Sequence, residues 1–316
     1  MHNVIEDFIF KWNVEEITIK TLIDIGNKKL ELWMKGKGKT IIIQPGLMSS
    51  VAEWEGLCEE LSKSARVITY NRAGLGRSDK GSTPRNRKEN ARGLHDLIIT
   101  LGVVSPIILG HSYGGLVLQQ FAVDYSTIAG GYILVDSTSY DAYKLDEVEI
   151  EGEDGNSTAA WIEKCRFYSS LAEEDLQVEM ADWIKELKKS LPSSTHLEVE
   201  EFMSNPSMYE TLCEELEFDF LSSRVTNHYE FFPDTPTIVI GRDPEASITQ
   251  MIKDEGLYKS EAEEIETIWQ SLIRSQTKLN ANTKYILAEG SGHSVHLDKP
   301  EFIKRAAASI LNQKAE

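Results

Sequence analysis

Several things are scarce in this chain. It has 3 cysteines among 316 residues, namely Cys58, Cys165 and Cys213, widely separated and odd in number. Such a set offers neither a disulfide framework nor paired zinc spacing, and it fits reduced thiols. No run of about 18 apolar residues occurs, so no transmembrane helix or membrane insertion is expected. The opening MHNVIEDFIFKW carries Glu6 and Asp7 and has no long apolar stretch behind a basic start. It does not read as a signal peptide, and with reduced thiols this points to a cytoplasmic protein. Bases are also short. Lys and Arg number 33 against 51 Asp and Glu, a formal net charge of -18. That balance argues against nucleic acid as a main partner and against docking on anionic membranes. H-E-x-x-H is missing, as are G-x-G-x-x-G and G-x-x-x-x-G-K-[ST], so neither metal nor cofactor is expected. The glycines at 74 and 76 read as a loop.

What is present describes a soluble globular protein, with 41% hydrophobic and 27% charged residues. The length allows one large domain, or a domain with a sizeable insertion. The charge is uneven. Residues 141–230 hold 23 acids and 7 bases, a net of -16, whereas residues 1–140 have a net of +1 and residues 231–316 a net of -3. A near-neutral body is thus interrupted by an acidic segment, whose ordinary reading is a set of solvated helical faces.

Hydrophobic patterning divides the chain at the same places. Residues 14–24 and 29–34 alternate apolar and polar and read as an antiparallel start. Short dense apolar runs follow at 40–43, 66–70, 106–109, 132–135, 237–240 and 284–288, which suit central parallel strands buried on both faces. Helix-like stretches at 53–64, 86–101, 114–125, 260–279 and 300–313 lie between them, so a parallel sheet covered on both sides is expected. The alternation stops near 137 and resumes near 236. The interval has helical patterns at 157–189, 194–204 and 207–222 and no convincing strand. We therefore expect a core of 1–137 and 231–316 and a helical cap of 138–230.

The chemistry is concentrated in Gly110-His111-Ser112-Tyr113-Gly114, which joins an apolar strand to a helical pattern. G-x-S-x-G in that setting makes a nucleophile elbow. The serine occupies a strained turn, the flanking glycines avoid collisions with strand and helix, and the helix start turns N–H groups toward the hydroxyl.

Three further segments occur in a familiar order. Gln44-Pro45-Gly46-Leu47-Met48 follows one strand, and Tyr70-Asn71-Arg72-Ala73-Gly74-Leu75-Gly76-Arg77-Ser78-Asp79 follows the next. Gly290-Ser291-Gly292-His293 comes with Asp298-Lys299-Pro300 before a final helix. With the elbow, these resemble the α/β-hydrolase family of the cap-bearing kind over almost the whole body. The resemblance implies a mostly parallel central sheet flanked by helices, with a helical cap insertion. It implies Ser112 as nucleophile and His293 as base, with no cofactor and a small-molecule substrate. Two aspartates stay open as the acid. Asp243 follows a strand where the family most often carries its acid, although its loop looks about one residue short. Asp136 follows the preceding strand, a position some members use. The oxyanion hole is expected from the backbone N–H groups of Leu47 and Tyr113. Pro45 stands where the family usually has His, but the donor needed is that of the residue after Gly46. His111 is expected to pack into the body, His296 to be a loop or hydrogen-bonding residue, and His95, on a helical pattern, to be structural.

These features imply a serine hydrolase of carboxylic ester, thioester or lactone bonds, working through an acyl-enzyme. The aromatics and methionines at 161, 167, 168, 183, 202, 203, 208, 209, 218 and 220 should mostly form the cap core, a few lining a pocket for a small apolar group. The acidic exterior should disfavour anionic substrates. Competing readings keep the fold but change the chemistry to C–C hydrolysis, a lyase or a haloperoxidase-like reaction, or leave a non-enzymatic ligand-binding protein. Ser112 argues against dehalogenase or epoxide hydrolase chemistry, whose nucleophile is an aspartate.

Overall fold

The computed structural model describes residues 18–148, 157–221 and 232–313. Eight strands form one sheet: β1 Ile19–Asp24, β2 Lys29–Lys35, β3 Thr40–Gln44, β4 Arg66–Tyr70, β5 Ile107–His111, β6 Gly131–Val135, β7 Thr237–Arg242 and β8 Thr283–Ala288. Their spatial order is β1-β2-β4-β3-β5-β6-β7-β8. β2 pairs antiparallel with β1 and with β4, and all other pairs are parallel. The antiparallel start therefore begins at Ile19, and residues 14–17 of the expected strand lie outside the described residues.

The apolar runs of β3 to β7 are buried on both faces because successive side chains point to opposite sides, whereas the run at 284–288, expected as a central strand, forms the edge strand β8, in which only Ala288 is buried. Ile41, Ile43, Leu109, Ile133, Val135 and Ile240 join one core. Ile42, Ile108, Leu134 and Val239 join the other. Helices cover both sides. The first core packs on α1 (Val51–Ser62), which supplies Trp54 and Leu57, and on the C-terminal helix, which supplies Ile303 and Ala307. The second packs on α2 (Arg87–Thr100) and α3 (Tyr113–Asp124), with Leu94, Leu97, Val117 and Phe121 buried. Each such side chain contributes about 1.5–3 kcal/mol when fully buried.

Between β6 and β7 the described residues form helices and no strand. They are α4 (Thr158–Ser169), α5 (Glu173–Glu179), α6 (Ala181–Lys189), α7 (His196–Met203) and α8 (Pro206–Leu216), the last continued by a π turn over Glu217–Leu221. Asn205 caps α8 ahead of Pro206, where the missing proline N–H costs nothing. Leu176, Val199, Phe202, Met203, Met208 and Tyr209 give the insertion its own core, and Leu47, Met48 and Leu297 of the body pack against it. The expected aromatic core is only part of the set. Phe167 is 53% exposed, Trp183 44% and Phe218 42%, because they lie on outward helix faces. After β7 come α9 (Pro244–Gln250) and α10 (Lys259–Ser275), and after β8 the short α11 (Val295–Asp298) and the C-terminal α12 (Pro300–Leu311). All three cysteines are buried and free.

Candidate active site

Parallel register aligns the strand ends. His111 sits beside Val135, and Val135 beside Ile240. The next residues, Ser112, Asp136 and Gly241, therefore stand side by side at the carboxyl edge of the sheet. The Ser112 N–H donates to Val135 O at 3.1 Å, and the Asp136 N–H to Ile240 O at 2.7 Å. Ser112 has φ 52° and Asp136 φ 38°. Positive φ in a residue with a Cβ is strained, at a cost on the order of 1–3 kcal/mol, and it directs the side chain away from the normal strand path.

The elbow glycines are required by close approach. A Cβ on Gly114 would lie 2.1 Å from Gln44 O, and one on Gly110 2.5 Å from Gly114 O. α3 can start immediately after Ser112 only because its first turn sits against the backbone of β3. Tyr113 is the first residue of that helix, so its N–H has no intrahelical acceptor. Gly46 packs against the elbow, since a Cβ there would come within 3.1 Å of Ser112 Cβ. The peptide joining Gly46 to Leu47 thus borders the serine.

His293 lies after β8 in a loop that folds back on the elbow. His111, next to the serine, has its ring Nε2 2.9 Å from the His293 backbone carbonyl. A carbonyl only accepts, so Nε2 carries the proton and donates. The strand that bears Ser112 thereby holds the loop that bears His293, with the two imidazole centroids 4.8 Å apart. This is more than the packing role expected of His111. Buried His111 has its pKa lowered to about 3, chiefly by desolvation and also by His293. His296 is buried too, stacked on Trp54 at 4.0 Å with an interplanar angle of 4°. Desolvation, with His111 and His293 nearby, holds its pKa well below the ordinary value.

The two aspartates divide clearly. His293 Nδ1 donates to Asp136 Oδ2 at 2.6 Å, which leaves Nε2 as the basic nitrogen. The other carboxylate oxygen of Asp136 accepts from Trp269 Nε1 at 2.9 Å and from the Arg242 N–H at 3.2 Å. Arg242 Nη1 is 3.7 Å from Oδ2, and the same guanidinium is paired with Glu266. Burial alone would push the Asp136 carboxyl up, but Arg242, His293 and Trp269 outweigh it and hold the carboxyl below its usual range. Trp269 meets the His293 ring edge-on at 5.6 Å.

Asp243, the other aspartate left open as the acid, has a different setting. Pro244 starts α9 immediately after Asp243, so Asp243 becomes its N-cap. Its Oδ1 accepts from the N–H groups of Glu245 at 2.9 Å and Ala246 at 3.4 Å. Its Oδ2 accepts from Gly290 N–H at 2.7 Å, and its own N–H donates to Ser291 O at 2.9 Å. The Gly290 bond, with the two helix N–H groups, holds its carboxyl below the usual range. Asp243 braces the histidine loop and Asp136 meets the ring. Asp298 also braces that loop, through Gly292 N–H at 2.9 Å.

Some important residues had no sequence signal. Trp269 reads as one apolar position in an amphipathic helix. Arg242 and Glu266 form their pair only in the fold. Among the described residues no group of three or more His, Cys, Asp and Glu side chains is arranged to hold a metal ion.

A sequence model of the alpha/beta hydrolase fold matches residues 39–300, and the chain belongs to that family. An uncharacterized protein of Mycobacterium tuberculosis is 31% identical over 102 residues, covering 32% of this chain and 30% of the relative. The chain thus matches under a third of that relative's length. The 2-(acetamidomethylene)succinate hydrolase of Mesorhizobium japonicum is 30% identical over 132 residues, 42% of this chain and 48% of the relative. A crystal structure of E-2-(acetamidomethylene)succinate hydrolase superposes with a TM-score of 0.65 at 19% identity, covering 94% of this chain and 100% of the other. That likeness establishes the shared fold.

The buried histidines have a consequence for stability. Both are neutral in the fold, whereas in the unfolded chain they take up protons near pH 6.5. Their contribution is complete above that pH and is lost progressively as the pH falls below it, until the folded-state values are reached. His296→Phe keeps a ring on Trp54 and removes one proton from the balance. Between pH 6 and 4, urea titrations should show its unfolding free energy falling by about 1.4 kcal/mol less per pH unit than that of the wild type. Equal slopes would refute the assignment of a buried neutral His296.

Proposed function

We propose that the chain is a serine hydrolase acting on carboxylic ester, thioester or lactone bonds of a small apolar substrate. Ser112 is the nucleophile, His293 the general base and Asp136 the acid. The observation that carries this reading is the Asp136–His293 hydrogen bond at 2.6 Å, in a loop clasped by the residue next to Ser112. Ser112 Oγ bonds to the acyl carbon while its proton passes to His293 Nε2, and the carbonyl electron pair moves onto oxygen. The N–H groups of Leu47 and Tyr113 receive that oxyanion. Its collapse breaks the bond to the leaving group, which takes the proton from His293. Water, deprotonated by the same nitrogen, then releases the acid product and restores the serine. Asp136 orients the ring and stabilises the imidazolium without taking its proton.

The insertion acts as the cap over 138–230. Its apolar core packs on Leu47, Met48 and Leu297, next to the oxyanion and histidine loops, which favours an apolar acyl or alcohol group. A second reading is cleavage of an amide-type bond by the same serine, favoured by the Mesorhizobium relative, which is named for the acetamido compound it hydrolyses. The net charge of -16 over residues 141–230 disfavours anionic substrates by long-range repulsion.

Three measurements test the reading. A fluorophosphonate probe should label the wild type and leave Ser112→Ala unlabelled; no labelling, or labelling that persists in the variant, would sink it. On p-nitrophenyl esters, Asp136→Asn should lose about 10⁴-fold in kcat. Asp243→Asn should stay within about ten-fold, since it loosens a brace rather than reversing the tautomer. Comparable activity in both variants would remove Asp136 from the triad. Paired cationic and anionic esters should differ in kcat/KM, the cationic one being favoured and the gap narrowing as salt rises. A salt-independent ratio of one would end the charge argument.

A further inference from the structure

The insertion reaches the elbow through buried carboxylates. Arg72 is buried below the oxyanion loop, just after β4. Its Nη1 donates to Pro45 O at 2.7 Å and to Gly46 O at 3.1 Å. Its Nε and Nη2 fork onto the two carboxylate oxygens of Glu215 on α8, at 2.8 and 2.9 Å. Glu215 is itself buried and also accepts from Asn90 at 2.9 Å. The guanidinium carbon lies 5.1 Å from the centre of the Tyr113 ring. The Tyr113 hydroxyl donates to Asp219 at 2.7 Å, and Asp219 is held in turn by the N–H and guanidinium of Arg87.

The geometry of the peptide unit gives these contacts a meaning. The carbonyl of Gly46 and the N–H of Leu47 belong to one planar trans unit and point in opposite directions. A donor that grips Gly46 O therefore sets the direction of the Leu47 N–H and resists a peptide flip. Arg72 is that donor, and its other face is held by Glu215. The second oxyanion peptide precedes Tyr113, whose side chain is anchored at its far end by Asp219. Glu215 and Asp219 are four residues apart on one segment of the insertion, and each secures one of the two peptides.

We infer that Arg72, Glu215 and Asp219 are positioning residues for the oxyanion hole, so that seating the insertion on the body and aligning the two N–H donors are one event. The inference rests on the serine hydrolase reading given above. It assigns the insertion a part in stabilising the tetrahedral state, beyond shaping a pocket.

The test uses the full chain and the variants Glu215→Gln and Tyr113→Phe. Two inhibitors of the same shape are compared, an aryl trifluoromethyl ketone and its methyl ketone. The first adds Ser112 Oγ to its carbonyl carbon, passes the serine proton to His293 and leaves an oxyanion in the hole, whereas the second binds without that addition. Glu215→Gln should lower kcat on a p-nitrophenyl ester about ten- to hundred-fold, a fraction of the effect of deleting an oxyanion donor. KM should stay within about three-fold, because that interaction is made only in the transition state. Trifluoromethyl ketone affinity should fall by the same factor as kcat, and methyl ketone affinity should hold.

Unchanged kcat in folded Glu215→Gln, or equal losses with both ketones, overturns the inference. Should that variant not fold, Tyr113→Phe deletes one hydroxyl and is read on the same split, with unchanged kcat again overturning it. The failure of the underlying reading looks different, since the wild type itself would then neither turn over the ester nor bind the trifluoromethyl ketone more tightly than the methyl ketone.

Discussion

The constraint on which the rest depends is the tight turn at Ser112 between β5 and α3. A residue at φ 52° is strained, and it persists only because its surroundings over-determine it. Ser112 N–H is tied to β6, and its carbonyl accepts from the N–H groups of both Gly115 and Thr138. Gly110 and Gly114 let the helix start lie directly on neighbouring backbone. The cores on both faces of the sheet supply stabilisation far exceeding a local cost on the order of 1–3 kcal/mol. Once the turn is fixed, so is the helix N-terminus beside the hydroxyl, and with it the direction of the Tyr113 N–H.

Asp136 shows how a buried charge is kept ionised. An isolated carboxylate as buried as Asp136 would shift its pKa upward and become neutral. Here both oxygens of the carboxylate are met by donors: the imidazole on one, the indole and a backbone N–H on the other, with Arg242 nearby. Glu266 in turn balances Arg242. The arginine attracts the Asp136 charge without displacing His293 from it, because its closest guanidinium contacts go to Glu266. Asp243 is only partly buried, and its oxygens accept from the N–H groups of Glu245, Ala246 and Gly290, so it holds the histidine loop rather than the ring.

Much of this was legible in the sequence, and the limits have physical causes. Strands, helices and the insertion followed from hydrophobic period and length, since burial on two faces requires continuous apolar runs. Ser112 and His293 stood out because turn chemistry concentrates glycine around them. The choice between Asp136 and Asp243 was not legible, because both end parallel strands at the same edge. Their different settings turn on whether a helix begins at the very next residue, as it does at Pro244 after Asp243. Local patterning does not register pairs such as Arg72–Glu215 or Trp269–Asp136, which lie more than a hundred residues apart in sequence. The exposed aromatics of the insertion mark a related limit, since helical spacing identifies a face but not what covers it.

The uneven charge acquires a structural sense at the seam between body and insertion. Arg72, Arg85 and Arg87, from the body, meet Glu215, Glu214 and Asp219 in turn. A basic stretch of the near-neutral body thus faces a short acidic stretch of a segment whose net charge is -16. Most of that acidity is solvated and contributes little in individual pairs. Buried pairs behave differently. Replacing such a pair with apolar groups is often neutral, but removing one partner strands a charge at a cost of about 3–5 kcal/mol. Such pairs therefore specify how two surfaces meet more than they bind them. An apolar seam would tolerate sliding of the insertion over the body. The forked Arg72–Glu215 contact that ends on the carbonyls of Pro45 and Gly46 admits one register, and that register is the one in which the elbow, the loop and the insertion share a single arrangement.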